Sequence, residues 1–189
     1  MHFRSKRLVV ILAAAAALTA GTARADSNSN KALKAVSGPG TVIYLAAAIG
    51  LPLAEDKNKG ADHAIRTVDA LIVSVGIAEI TQPIVREQRP NKDDHSSFPS
   101  EHATAAFAAA TMQSDFHPGQ APYWYLGATA IAAARVGLHE HFIHDVVAGA
   151  LLGYGTAKLE LGQRHGLILT PIIGRGADKG INLQVAAGF

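Results

Sequence analysis

The feature that most constrains this chain is a series of apolar runs too long for strands and too short to cross a bilayer. Residues 41–54, 121–134 and 146–159 are each 14 residues of mostly apolar sequence, the last including Lys158. A bilayer-crossing helix needs about 20 such residues, and runs of about 10 to 14 are more often buried core helices. The longest run, 70–85, carries Glu79 inside it. Alanine recurs along these runs and suits close packing of helix on helix. The pattern predicts a soluble helical bundle, with peripheral or integral membrane attachment as the alternative.

The first 25 residues stand outside that bundle. Residues 2–7 are basic, 8–17 form an unbroken apolar run, and Ala23-Arg24-Ala25 is an A-x-A cleavage site, the pattern of a secretory signal peptide. Cleavage after Ala25 removes Arg4, Lys6, Arg7 and Arg24 and no acid, so Lys plus Arg falls from 17 to 13 against 15 Asp plus Glu, a net charge of −2. The apparent basicity belongs to the export signal, and nucleic acid is not an expected partner. The absence of cysteine fits an exported protein without disulfides. The mature chain is expected to begin at Asp26 and to be periplasmic or secreted. With 49% hydrophobic and 17% charged residues it closes a sizeable core.

From there the chain divides by punctuation. Residues 26–40 are polar, then Gly-Pro punctuated, and read as a mobile leader into a helix over 41–54. After a charged loop, Asp62 can cap a second helix whose Ile65, Val68, Leu71, Ile72 and Val75 recur at helical spacing toward Pro83. Loop 86–99 holds Arg86, Arg89, Lys92, Asp93, Asp94 and His95, too polar to be buried, and should face solvent or a ligand. Ser100 is a good N-cap for an alanine-rich helix over 101–113. Helices over 122–136 and 141–161 follow, with Tyr123-Trp124-Tyr125 packing the start of the first. After Gly162 the period becomes two: Ile181, Leu183, Val185, Ala187 and Phe189 alternate with Asn182, Gln184, Ala186 and Gly188. With a partner strand over 167–173, this makes a C-terminal β-hairpin, residues 167–189. Two strands are too few for an outer-membrane barrel, which needs at least about eight.

Chemistry concentrates in three separated segments: Arg89-Pro90, then Ser97-Phe98-Pro99-Ser100-Glu101-His102, then Arg135 followed by His141 and Asp145. They supply two arginines, a serine at a helix N-terminus, two histidines suited to proton transfer or nucleophilic attack, and an aspartate to orient one of them. That is an inventory for phosphoryl transfer without a metal. His141 and Asp145 are spaced i, i+4, so on a helix imidazole and carboxylate share one face, where the carboxylate can fix the tautomer and stabilise the cation. His139, His141 and His144 do not read as a metal cluster, because His139 and His141 point to different helix faces and no zinc-hydrolase set accompanies them. His63, His95, His117 and His165 lie near loops or ends and read as solvated; Glu79 reads as partly exposed or paired.

These segments resemble the signature of the type-2 phosphatidic acid phosphatase superfamily, which includes lipid phosphate phosphatases, bacterial acid phosphatases and vanadium haloperoxidases. Its parts are K-x(6)-R-P, P-S-G-H and S-R-x(5)-H-x(3)-D, and the third is matched at Arg135, His141 and Asp145 with its spacing intact. The resemblance implies a helical bundle of the acid phosphatase and haloperoxidase type over residues 41–189. It also implies that His141 is a nucleophile forming a phosphohistidine, that Asp145 orients it, and that His102 protonates the departing alcohol. Arg89, Ser100 and Arg135 would bind phosphate oxygens, beside Gln82 and Glu101. Three positions depart from the pattern: Gln82 replaces the lysine, Glu101 the glycine and Ala134 the serine. The resulting expectation is an exported phosphatase acting on a phosphorylated small molecule or lipid phosphate, without cofactor, inhibited by vanadate, and capable of peripheral membrane contact. The rival readings are a vanadium-dependent haloperoxidase, in which vanadate is the cofactor held by His141, and a catalytically weakened phosphate-binding envelope protein.

Overall fold

The structure, a computed structural model, describes residues 27–163, 166–172 and 180–183. The segment expected to be the signal peptide lies outside them. Helix α1 (Ser27–Ala35) runs through a π-helical turn (Val36–Gly40) into α2 (Thr41–Glu55). Then come α3 (Gly60–Val85), α4 (Glu101–Phe116), α5 (Ala121–Gly137) and α6 (Ile143–Gly162). The protein is mainly helical.

The leader expected to be mobile is therefore helical from Ser27 onward, and Ser37 within it is buried. Polar composition and a Gly-Pro pair concealed this. The turn containing Pro39 is π-helical, and Thr41 closes it by donating its hydroxyl to the Ser37 carbonyl at 2.9 Å.

The centre of the bundle is α4, every residue of which from Ala103 to Ser114 is buried. A helix that is small and apolar on all sides can be surrounded, and α2, α3, α5 and α6 all pack on it. The closest approach is made by α6. A Cβ at Gly149 would lie 2.5 Å from the Ser100 carbonyl oxygen, and one at Gly153 would lie 2.1 Å from that of Thr104. Glycine at these two positions lets the start of α6 rest on the first turns of α4, which brings Asp145 to the loop before Ser100.

Helix α3 packs by its small residues. Thr67, Ala70, Ser74, Ala78 and Gln82 are buried at helical spacing, whereas Ile72, Ile77, Ile80 and Ile84 are exposed, Ile84 to 75%. Of the apolar residues expected to face the core, Ile72 lies 52% exposed. The same inversion marks α2, where Thr41, Ala48 and Pro52 are buried while Val42, Ile43 and Leu53 are exposed. Close helix contact selects small side chains and leaves the large aliphatics outside, as in membrane bundles. The helical stretches Asn28–Glu55 and Lys57–Val85 are long and apolar enough to cross a membrane. Runs that looked short in the sequence are joined by the π-helical turn and by polar residues that stay helical.

Polar networks fasten the ends. Asp56 accepts from His63 Nδ1 at 2.6 Å and His117 Nε2 at 2.7 Å, tying the α2–α3 corner to the end of α4. These two histidines were expected to be solvated. At the C-terminal side the Asp69 carboxylate accepts from the backbone N–H of Leu167 and Ile168 at 2.8 and 2.9 Å. Fully buried Glu160 pairs with Arg66 at 3.0 Å and accepts from Leu167 N–H at 2.7 Å. Beyond this, Leu169–Ile172 and Gly180–Leu183 pair antiparallel. The intervening turn and residues 184–189 of the expected hairpin lie outside the described residues, so the hairpin over 167–189 is not established.

Candidate active site

Because α3, α4, α5 and α6 alternate in direction, the end of α3, the start of α4, the end of α5 and the start of α6 meet at one end of the bundle. Loop 86–100 crosses the same end. Arg86, in the left-handed region with φ 55°, ends α3. Ser97 N–H then donates to the Glu87 carbonyl at 3.0 Å, and Ser100 N–H to the Asp145 carbonyl at 3.1 Å, which pins the loop to α6. Ser100 is the N-cap of α4 as expected, its hydroxyl accepting from Ala103 N–H at 3.5 Å. The first-turn N–H groups of α4, without intrahelical partners, and the positive end of its dipole thus face this cluster.

His141 does not lie on a helix. Helix α6 begins at Ile143 with Phe142 as its N-cap, so the i, i+4 spacing to Asp145 is not a shared helical face. The chain instead turns after α5 through His139, with φ 57°, and Glu140 N–H and His141 N–H both donate to the Arg135 carbonyl, at 3.1 and 3.4 Å. His141 is 2% exposed. Its Nδ1 stands 2.7 Å from the Ser97 carbonyl oxygen and 3.8 Å from Asp145 Oδ2. A carbonyl only accepts, so Nδ1 carries the proton and Nε2 carries the lone pair. Arg135 Nη2 lies 3.5 Å from that Nε2.

Asp145, fully buried, binds the surroundings of the imidazole more tightly than the ring itself. Its Oδ2 accepts from Ser97 Oγ at 2.5 Å and from Phe142 N–H at 2.8 Å. Burial alone would raise its pKa; the nearby His141 imidazole, the Ser97 hydroxyl and the Phe142 N–H together outweigh it and hold the carboxyl below its usual range. The His102 pKa is lowered too, which for a base favours the neutral form: burial, then the positive fields of Arg135, His141 and Arg89, bring it to about 4.

The two arginines converge on one carboxylate. Arg89 Nη1 lies 3.1 Å and Arg135 Nη2 3.5 Å from the same oxygen, Glu140 Oε2. Arg89 Nε is held by Asp94 at 2.7 Å, and Arg135 Nη1 donates to Ser37 Oγ at 2.9 Å. Burial pushes the Arg135 pKa down, Glu140 raises it, Arg89 lowers it and Glu101 raises it; a guanidinium stays cationic through such shifts.

Gln82 is buried at the end of α3 and donates its amide to the Pro99 carbonyl at 3.2 Å. Its observed bond braces the loop one residue before Ser100. His139 and His144 do not join His141 in a cluster. Glu87, His144 and Asp145 do place one ligand-type atom each within 4.8 Å of one another. Within that grouping His144 Nε2 lies 2.8 Å from Glu87 Oε1 and 3.1 Å from Asp145 Oδ1.

The model of the PAP2 superfamily matches residues 67–167, more than half of the chain. The chain belongs to the PAP2 superfamily. Neither curated proteins nor solved structures yield a match. PAP2 proteins are generally phosphatases, and membership supports a phosphatase-type function for this one. The matched stretch contains Arg89, Ser100, His102, Arg135, His141 and Asp145, the residues that carried the resemblance, and the fold brings their segments to one end of the bundle. Sequence reasoning gave no individual role to Ser97, Glu140, Asp94 or Ser37. Ser97 acts partly through its backbone carbonyl, which no side-chain pattern records. Glu140, adjacent to His141 and five residues beyond Arg135, did carry a signal: an acid beside a site that needs positive charge.

Proposed function

We propose that this chain is an exported, metal-independent phosphatase that hydrolyses a phosphomonoester or lipid phosphate through a phosphohistidine on His141. The carrying observation is the state of that imidazole: Nδ1–H is engaged by the Ser97 carbonyl at 2.7 Å, leaving Nε2 as the attacking atom beside the Arg135 guanidinium at 3.5 Å. In the first step Nε2 attacks phosphorus and the bond to the alcohol oxygen breaks. Protonated His102 gives its proton to that oxygen. In the second step water attacks the phosphohistidine, neutral His102 takes its proton, and inorganic phosphate leaves. Arg89, Arg135 and the start of α4 at Ser100 and Glu101 would neutralise the equatorial oxygens, the main task in such a displacement. Asp145 would stabilise the His141 cation through space. Phosphomonoesters, lipid phosphates and diphosphates assayed with vanadate and with chelator test this reading; release of phosphate that vanadate blocks and chelator spares is the expected result, and no release from any of them would refute it.

The outward aliphatic faces of α2 and α3 favour a membrane-attached form of the same enzyme. Val42, Ile43, Ile80 and Ile84 are each at least two-thirds exposed, and such a surface is stable against lipid chains. Retention in carbonate-washed membranes is the expected outcome; full release into the wash would refute attachment by these faces.

A further inference from the structure

The Ser97 side chain belongs to no part of the three-part signature, yet it is fully buried at the centre of the site. Its hydroxyl lies 2.5 Å from Asp145 Oδ2 while its own carbonyl oxygen lies 2.7 Å from His141 Nδ1. One residue therefore touches both members of the imidazole–carboxylate pair, which stand 3.8 Å apart. We infer that the Ser97 hydroxyl is a positioning group for the phosphoryl-transfer step: by holding Asp145 Oδ2, it sets the place of the carboxylate beneath His141 and, through the shared backbone, the alignment of the imidazole. The inference rests on the phosphohistidine reading.

The argument is one of satisfied donors and acceptors. Asp145 Oδ2 sits between the Ser97 hydroxyl and the Phe142 N–H, at 2.5 and 2.8 Å. Two donors aimed at one oxygen from different segments fix a carboxylate in rotation as well as position. Remove the hydroxyl and one donor remains, and a buried carboxylate short of a donor is free to turn toward another one. The groups facing it are His141 on one side, His144 at 3.1 Å from Oδ1 on the other, and Glu87 beyond His144. A turn toward His144 would draw charge away from the nucleophile. The Ser97 backbone carbonyl survives substitution, so the hydroxyl can be tested without losing the Nδ1–H acceptor.

The test is Ser97→Ala, with Ser97→Cys as a near-isosteric variant that keeps a weak donor, each purified as the full chain. The expected result is a fall in kcat of about ten- to a hundredfold, as for loss of one hydrogen bond to a charged group. KM and the calorimetric affinity for inorganic phosphate should be unchanged, because Arg89 and Arg135 are untouched. The acid limb of kcat should move to higher pH as Asp145 becomes easier to protonate, and Ser97→Cys should recover part of both effects. Unchanged kcat, or an equal loss at every pH with a raised KM, would overturn the inference. Should the wild type prove unable to turn over phosphoesters, the phosphatase reading fails separately. Carbon-13 titration of the Asp145 carboxyl then decides the coupling alone: an equal pKa in wild type and Ser97→Ala overturns it.

Discussion

His141 and Asp145 are neighbours without being a hydrogen-bonded pair: Nδ1 and Oδ2 stand 3.8 Å apart, with the Ser97 carbonyl taking the ring proton at 2.7 Å. The carboxylate thus acts on the imidazole by its charge, and the tautomer is held by backbone. Asp145→Asn should accordingly lower kcat substantially yet leave the Nδ1–H bond in place. Nitrogen-15 NMR of His141 in the variant should still report a protonated Nδ1. A switch to protonated Nε2 would show that the carboxylate, rather than the Ser97 carbonyl, sets the tautomer.

The pH dependence follows from His102. In the free protein burial and the charges of Arg135, His141 and Arg89 hold it at about 4, so its acid form is lost as pH rises through that value. The kcat/KM for substrates with poor leaving groups, which reports the free enzyme, should fall above about pH 4. Bound phosphate dianion offsets the two arginines, so the matching limb of kcat should lie at higher pH. Stability should follow the same sign: with a folded pKa below the reference 6.5, the unfolded chain binds the proton first, and His102 costs stability as pH falls from 6.5 toward 4. His102→Gln should therefore melt above wild type at pH 5, with the difference shrinking as pH rises past 6.5. Coincident limbs for kcat and kcat/KM would contradict this account of the depression.

Glu140 engages through one oxygen both arginines proposed to bind phosphate, and its side chain is 32% exposed, free enough to swing outward. A ligand anion must compete with it. Glu140→Gln should tighten inhibition by phosphate and vanadate about two- to fivefold, the range of a partly exposed ion pair. Weaker inhibition would mean instead that Glu140 holds the arginines in the shape that phosphate needs.

Away from the site, Arg66 and Glu160 form a pair whose carboxylate is fully buried. Burial raises the Glu160 pKa, the Arg66 hydrogen bond lowers it and Asp69 raises it again. Arg66→Met removes the partner and leaves the charge, which costs about 3–5 kcal/mol in comparable buried pairs. Denaturant unfolding at neutral pH measures this. A loss below about 1 kcal/mol, the scale of a surface pair, would mean that the network is solvated.

What the sequence revealed depended on whether the physics was local. Ser100 was legible as an N-cap because its hydroxyl serves its own helix. The alanine runs were legible as packing surfaces, and α4 is enclosed by them. The inward face of α3 was not, because close approach by neighbouring helices favours Ala70, Ser74 and Ala78 over the larger Ile72 and Ile77. His141 and Asp145 were legible as partners by spacing, but the assumed helix starts two residues too late to set their geometry. Gln82 was legible in register and not in use, since its observed bond goes to the Pro99 carbonyl. The Glu140 bridge depends on a left-handed turn at His139, which lacks the usual glycine.

The central claim is a covalent phosphohistidine at Nε2 of His141. The most direct measurement is rapid quench of the full-length protein during turnover of a good-leaving-group phosphomonoester, under alkaline conditions that preserve phosphohistidine, followed by peptide mass spectrometry and nitrogen-15 NMR. Phosphate on Nε2 of His141, formed at the rate of the first step and lost at the rate of the second, is the predicted result. Steady turnover with His141 unmodified, or undiminished in His141→Ala, would contradict it.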